Sequence, residues 1–241
     1  MMSMHAVQLQ GREIIASETV AFHFRKPVGF QFKAGQTIDL VLNSSPSVDA
    51  ADARHTFSLV SAPFEDVLTV ATRMRASSFK NTLADLPVGS NAGLEGPFGS
   101  LTLHSSRARP AVFITGGIGI TPFMSILRQV VYDGLQQQFI LVYSNNRPED
   151  AAFLTELQDL ERRIESFRLF TTMTRMDGSG RPWPGRIGRI DWDLIEIVKN
   201  SAATAVYYVT GSSSMVADLK QLLANAAIDD DDVRSEEFHG Y

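Results

Sequence analysis

The chain has 241 residues, with 22 Lys and Arg against 27 Asp and Glu and a formal charge of −5; 44% of residues are hydrophobic and 20% charged. That composition supports a sizeable core and excludes a wholly disordered chain, and the mild negative charge argues against a general nucleic-acid binder, which carries a basic face. The lack of cysteine excludes disulfides, thiolate zinc sites, cysteine nucleophiles and cysteine-ligated iron–sulfur clusters within this sequence and fits a cytoplasmic protein, while no apolar run approaches the ~20 residues that span a bilayer.

Up to about Leu103 the apolar runs are short and rich in β-branched or aromatic residues. Those at 20–24, 37–42, 56–60 and 67–72 have strand length, and Gly29, Gly35, Pro46, Pro63, Gly89 and Gly96-Pro97 punctuate them. This spacing predicts a small antiparallel barrel or sandwich. Residues 79–86 read as a helix, with Phe79, Leu83 and Leu86 on one face. The second half alternates. Strands are predicted at 111–115, 139–143, 167–172 and 205–210, and helices at 121–131, 149–164 and 212–226, with Phe153, Leu157, Leu160 and Ile164 inward in the second of these. Strand and helix in alternation imply a parallel sheet with helices on both faces. The polar stretch 104–108 before Pro110 divides the chain into domains 1–105 and 106–241. His5, His23, His55, His104 and His239 show no metal-ligand spacing, so no metal site is expected.

The stretch Thr115-Gly116-Gly117-Ile118-Gly119-Ile120-Thr121-Pro122 joins a predicted strand to a predicted helix. Glycines let the backbone turn tightly and approach a ligand closely. Thr121 is the expected N-cap and Pro122 the first helical residue. Amides at such a helix start favour an anion, and a dinucleotide pyrophosphate is the natural occupant at the carboxyl end of a parallel strand. Pro122 stands where Gly-x-Gly-x-x-Gly has its third glycine, so a tight turn without a ligand is the competing reading. The next strand ends Tyr143-Ser144-Asn145-Asn146-Arg147, ahead of Glu149. An acid at this point would bind ribose hydroxyls and an Arg a 2′-phosphate, so Arg147 tilts the choice between NADH and NADPH towards NADPH. The alternative is a solvated arginine before Pro148.

Three more motifs precede this turn: Arg54-His55-Thr56-Phe57-Ser58-Leu59, then Arg73-Met74-Arg75 with Ser78-Phe79-Lys80-Asn81-Thr82, then Glu95-Gly96-Pro97-Phe98-Gly99. In this order, over essentially the whole chain, they resemble the ferredoxin–NADP reductase family, whose members pair a FAD-binding antiparallel β-barrel with a nucleotide-binding α/β domain. The resemblance implies an N-terminal FAD barrel followed by a parallel-sheet, Rossmann-like NAD(P)-binding domain. The first motif is similar to the family's Arg-x-Tyr-Ser. Phe57 takes the aromatic place against the flavin and Ser58 the hydroxyl place near N5. The arginine is out of step by one, so either His55 replaces it or Arg54 reaches the phosphate; an ordinary barrel strand is the bland alternative. The second motif implies that Arg73, Lys80 and the N–H groups of Asn81 and Thr82 face the FAD pyrophosphate, with Met74 also in the cofactor site and Lys80 replacing the usual Ser. The third looks like the turn closing the barrel. The fourth, through Thr115, Gly116, Gly117, Gly119, Thr121 and Pro122, matches the pyridine-nucleotide turn.

Tyr208-Val209-Thr210-Gly211-Ser212-Ser213-Ser214-Met215 resembles the family's Tyr-x-Cys-Gly-Pro-x-x-Met beside the nicotinamide, with Thr210 in place of the Cys. The C-terminal Glu237-Phe238-His239-Gly240-Tyr241 resembles a tail whose aromatic covers the flavin, a place for Phe238 or Tyr241; a frayed terminus is the alternative. The resemblance implies hydride transfer from NADH or NADPH to FAD, with Ser58 near N5, Thr210 lining the nicotinamide site and Glu237 assisting proton movement. Electrons would pass to a separate acceptor such as a ferredoxin-like or oxygenase protein. Two rivals stand beside this reading: an NAD(P)H:flavin reductase that releases reduced free flavin, and a non-catalytic electron-transfer subunit. Residues 229–232 read as a solvated acidic loop, and the segment between Trp183 and Trp192 as loop and turn beside the nucleotide site.

Overall fold

The computed structural model describes residues 4–42 and 53–238. The chain forms two compact units: one takes residues up to Thr102 together with Thr121–Gly134, the other Leu103–Ile120 and the chain from Leu135 onward.

In the first unit, β1 (His5–Ala16), β2 (Thr19–Arg25), β3 (Thr37–Val41), β4 (Arg54–Ser58), β5 (Val67–Arg73) and β6 (Asn91–Phe98) form an antiparallel sheet in the order β4-β3-β6-β1-β2-β5. A bridge from Leu59 to Val70 joins its two edges, so the sheet closes on itself as a barrel. Alternation supplies the core: Val7 and Leu9, Phe22 and Phe24, Ile38 and Leu40 point inward from their strands. Two strands depart from the sequence expectation. In β1 the pairing slips between Leu9 and Gly11, which breaks the apolar period that would have marked it. In β6 the strand runs through Glu95-Gly96-Pro97 instead of turning there. Helix α1 (Ser78–Asp85) starts where Ser77 accepts the Lys80 N–H at 3.5 Å, and buries Phe79 and Leu83. Helix α2 (Thr121–Tyr132) belongs to this unit; the Ser125 hydroxyl donates to the Ser61 carbonyl at 2.7 Å.

The second unit contains β7 (Ala111–Gly116), β8 (Phe139–Asn145), α3 (Leu154–Arg163), β9 (Phe167–Met173), β10 (Arg186–Ile187), α4 (Trp192–Ser201), β11 (Val206–Ser212), α5 (Ser213–Asn225) and β12 (Val233–Phe238). The strands form a parallel sheet in the order β10-β9-β8-β7-β11-β12. Residues 111–115 of β7 are buried throughout, as expected of a parallel strand covered on both faces. Leu194, Ile195 and Val198 of α4 and Val216, Leu219 and Leu223 of α5 pack with Val112, Ile114, Val142 and Val209.

The helix expected over 149–164 is shorter. A 3₁₀ turn at Pro148–Asp150 and a left-handed Phe153 (φ 60°) delay α3 to Leu154, which takes Phe153 off the helix face. The segment between Trp183 and Trp192 carries only the short β10, and α4, which the sequence reading did not mark, follows it, started by Asp191, which accepts the Leu194 N–H at 3.0 Å. Thr121 is not an N-cap: a 3₁₀ turn over Gly117–Ile120 runs straight into α2. The acidic run 229–232 forms a 3₁₀ turn leading into β12, which pairs with β11. Among the described residues no helix is long and apolar enough to cross a membrane.

Candidate functional site

In the barrel, β4 divides the first motif between its faces. His55 and Phe57, two apart, stack at 4.6 Å between ring centroids, and both lie near Phe79 of α1, at 5.4 and 5.9 Å. Arg54 and Thr56 turn the other way. Arg54 Nη1 donates to Asp39 of β3 at 2.9 Å and Glu95 of β6 at 2.7 Å, and the Thr56 hydroxyl donates to Asp39 at 2.5 Å. The arginine is therefore paired with carboxylates, and the ring in step with Phe57 is His55. Burial, and secondarily the Lys80 ammonium, lower the His55 pKa from 6.5, so the ring is neutral near pH 7. Ser58 is 5% exposed, and its hydroxyl is enclosed with no hydrogen-bond partner among the described residues. An unpaired buried hydroxyl is costly unless something satisfies it.

Lys80 is buried, and its ammonium donates to the Arg73 carbonyl at 3.1 Å. Burial, with Arg75 nearby, lowers its pKa below the usual lysine value. Arg73 ends β5, Met74 follows half-buried against the barrel core, and Thr82 is half-buried on α1. The Asn81 N–H, expected to face a phosphate, instead donates to the Ser77 carbonyl at 3.0 Å, because the helix starts at Ser78 and its ladder already takes that amide.

In the second unit the glycine turn follows β7, the strand flanked by β8 and β11. Its glycines answer to different demands. A Cβ on Gly116 would lie 2.5 Å from Met215 Sδ, so Gly116 makes room for the thioether. Gly117 has φ +55° and open space around a Cβ, so its requirement is conformational. A Cβ on Gly119 would lie 2.7 Å from Thr115 Oγ1 and 3.2 Å from Thr210 Oγ1. Those hydroxyls are 2.8 Å apart, and Thr210 Oγ1 is 2.7 Å from the Gly119 carbonyl. The carbonyl can only accept, so Thr210 gives its one proton there and Thr115 supplies the proton between the threonines. The Tyr143 hydroxyl of β8 lies 3.1 Å from the Gly117 carbonyl and 3.2 Å from that of Ala152. Thr210, expected beside the nicotinamide, is thus fully buried with its hydroxyl on the turn. Thr121 and Pro122 are buried at the start of α2.

At the carboxyl end of β8, Ser144 pairs with Gly116, and Asn145 is 5% exposed with both side-chain amide atoms enclosed and unpartnered. Arg147 makes a two-point pair with buried Asp150, Nε to Oδ2 and Nη2 to Oδ1, each 3.1 Å. Glu149 turns to the loop after β9. Hydrogen bonds from its own N–H, the Ser179 hydroxyl and the Gly180 N–H hold its carboxyl below the usual range. At the far side of β11, Gly211 pairs with Glu237 and Ser212 with Phe238. Glu237 is exposed and Phe238 half-buried at the end of β12; Tyr241 lies outside the described residues. Sequence reasoning missed Tyr143, Asp39 and Glu95. A tyrosine within an apolar strand reads as core, and carboxylates spread over β3 and β6 meet Arg54 only through strand pairing.

Residues 113–221 match the family model described as oxidoreductase NAD-binding domain. The chain is 28% identical over 224 residues to the glycine betaine monooxygenase reductase subunit of Chromohalobacter salexigens, covering 91% of this chain and 60% of that protein. It is 26% identical over 203 residues to ferredoxin–NADP reductase B of Sorangium cellulosum, covering 80% and 79%. This chain spans 54–60% of the length of these oxygenase reductase components. In fold it is similar to a ferredoxin–NADP+ reductase from Neisseria gonorrhoeae solved with FAD and NADP bound, with a TM-score of 0.78 and 21% identity over 97% of this chain and 98% of that one. A closed antiparallel barrel, a parallel sheet with a glycine turn after its central strand, and relatives that align through both make this chain similar in sequence and fold to ferredoxin–NADP reductases and oxygenase reductase components.

Proposed function

We propose that this chain is a flavin-dependent NAD(P)H reductase that delivers electrons to a separate acceptor. The observation that carries the reading is the Gly116–Gly119 turn at the carboxyl end of the central parallel strand, with the enclosed, unpartnered Asn145 amide on the next strand. A dinucleotide pyrophosphate suits that turn, and its ribose or base edge suits an amide offering both a donor and an acceptor. Gly211 and Ser144 would border the same ligand.

The barrel residues fit FAD on an observation of their own: the buried Ser58 hydroxyl lacks a partner among the described residues. Ser58, Phe57 and His55 would hold the ring system. Lys80 and Arg73 would hold the pyrophosphate, beside Met74, Asn81 and Thr82. Arg54, tied to Asp39 and Glu95, would brace β4 against β3 and β6. Bound FAD would supply a hydride acceptor and the capacity to pass electrons singly. The chain's contribution is binding and orientation, with the Ser58 hydroxyl as the hydrogen-bonding group at the flavin and Glu237 and Phe238 bordering the coenzyme at the end of β12. Relatives named as reductase components of monooxygenases support an oxygenase or ferredoxin-like acceptor. FAD would belong to the barrel unit and NAD(P)H to the parallel-sheet unit, with helix α2 of the 106–241 half packed in the barrel unit.

One observation favours a second reading, an NAD(P)H:flavin reductase that releases its product: Arg54 is committed to Asp39 and Glu95 and the His55 ring is neutral, which would weaken the hold on a flavin phosphate. Gel filtration after incubation with FAD separates the two. A yellow protein that oxidises NAD(P)H with an added artificial acceptor supports the first. A colourless protein that reduces free flavin supports the second, and one that does neither defeats both.

A further inference from the structure

The turn that would receive the coenzyme follows β7, and the strands on either side of β7 each reach it with a hydroxyl. From β8, Tyr143 lies 3.1 Å from the Gly117 carbonyl; from β11, Thr210 lies 2.7 Å from the Gly119 carbonyl and 2.8 Å from Thr115. All three side chains are fully buried. We infer that Tyr143, Thr115 and Thr210 are positioning residues that set the amide geometry of the coenzyme turn, an inference that rests on the dinucleotide reading of that turn.

In a trans peptide the C=O of one residue and the N–H of the next point in opposite directions. Holding the Gly117 carbonyl toward Tyr143 aims the Ile118 N–H away from that hydroxyl; holding the Gly119 carbonyl toward Thr210 fixes the next peptide plane but one. A turn with Gly117 at φ +55° has glycine's freedom to rotate both planes, and freedom in the free protein is lost on binding. Two buried hydroxyls remove it beforehand. Gly119 completes the arrangement, because a Cβ there would stand 2.7 Å from Thr115 Oγ1. In the resemblance Thr210 stands where relatives carry a Cys; here the hydroxyl acts through the turn. The Tyr143 hydroxyl also meets the Ala152 carbonyl, so one proton donor links the turn to the segment after Arg147 and Asp150.

The test compares Tyr143→Phe, Thr210→Val and Thr210→Ser in the FAD-loaded full chain, titrated with NAD+ and NADP+ in the absence of turnover. Phe keeps the ring and Val the shape. The expected result is a dissociation constant raised about fivefold or more in the Phe and Val variants, from the loss of a buried hydrogen bond, and near wild type in the Ser variant. The rate at saturating NAD(P)H stays within about twofold, as for a group that does not touch the reacting atoms. Unchanged dissociation constants overturn the inference. So does a fall in saturating rate with unchanged binding, which would put Thr210 on the nicotinamide. A wild-type chain that binds neither nucleotide fails the functional reading itself, a result distinct from either.

Discussion

Replacing Gly119 by Ala tests the packing behind the turn. The new methyl would sit 2.7 Å from Thr115 Oγ1, 3.2 Å from Thr210 Oγ1 and 3.3 Å from Gly211 Cα. Neither hydroxyl is the far end of a flexible chain: both belong to β-branched residues within strands and are fully buried. Displacing them leaves a buried polar group unsatisfied, about 1–3 kcal/mol, and forcing a methyl into a packed interior costs about 1–3 kcal/mol more. The expected loss of stability is therefore about 2–6 kcal/mol. Gly117→Ala meets open space and costs only the left-handed conformation, about 1–2 kcal/mol. Gly116→Ala should fall between them, because the Met215 thioether that it meets at 2.5 Å can withdraw. Urea unfolding of the three variants gives the order directly. A Gly119→Ala protein as stable as wild type, or less affected than Gly117→Ala, refutes the reasoning.

Ser58→Ala removes a buried hydroxyl that has no protein partner, so stability without flavin should change by less than about 1 kcal/mol while reduction of bound flavin slows; unfolding midpoints and stopped-flow rates report the two effects, and a large loss of stability with an unchanged rate contradicts the assignment. Arg147→Ala should weaken NADPH more than NADH if the guanidinium, paired with Asp150, also meets a 2′-phosphate, whereas equal effects on both coenzymes defeat that assignment. His55 and His104 both have pKa values lowered from 6.5, chiefly by burial. The unfolded chain takes up these protons near 6.5 and the folded chain only at lower pH, so their contribution to stability is complete above 6.5 and is lost on acidification. Urea midpoints should therefore fall between about pH 7.5 and about pH 5.5, less steeply in His104→Gln; an identical slope in that variant removes His104 from the explanation.

The elements legible in the sequence are those whose apolar period is unbroken. The β7, β8 and β9 runs and the α1 and α2 stripes fall within a few residues of their predicted ends. The strand β1 was hidden by the slip at Gly11, and β6 by a Gly-Pro pair that reads locally as a turn. Helix α4 had a sequence signal, Asp191 ahead of Leu194, Ile195 and Val198, which the nearby glycines and tryptophans obscured. In the candidate site, the motif residues were legible because they are contiguous. Their partners were not: Asp39 and Glu95 reach Arg54, and Tyr143 reaches Gly117, only through strand order, which no local pattern encodes. The choice between Arg54 and His55 likewise depends on which face of β4 carries Phe57.

The central claim is that reduced nicotinamide held on the glycine turn reduces flavin held by the barrel. The most direct measurement is an anaerobic titration of the FAD-loaded protein with NADH and with NADPH, following visible flavin absorbance. Stoichiometric bleaching by at least one of the two is the predicted result. Flavin that stays oxidised in the presence of excess of both contradicts the account.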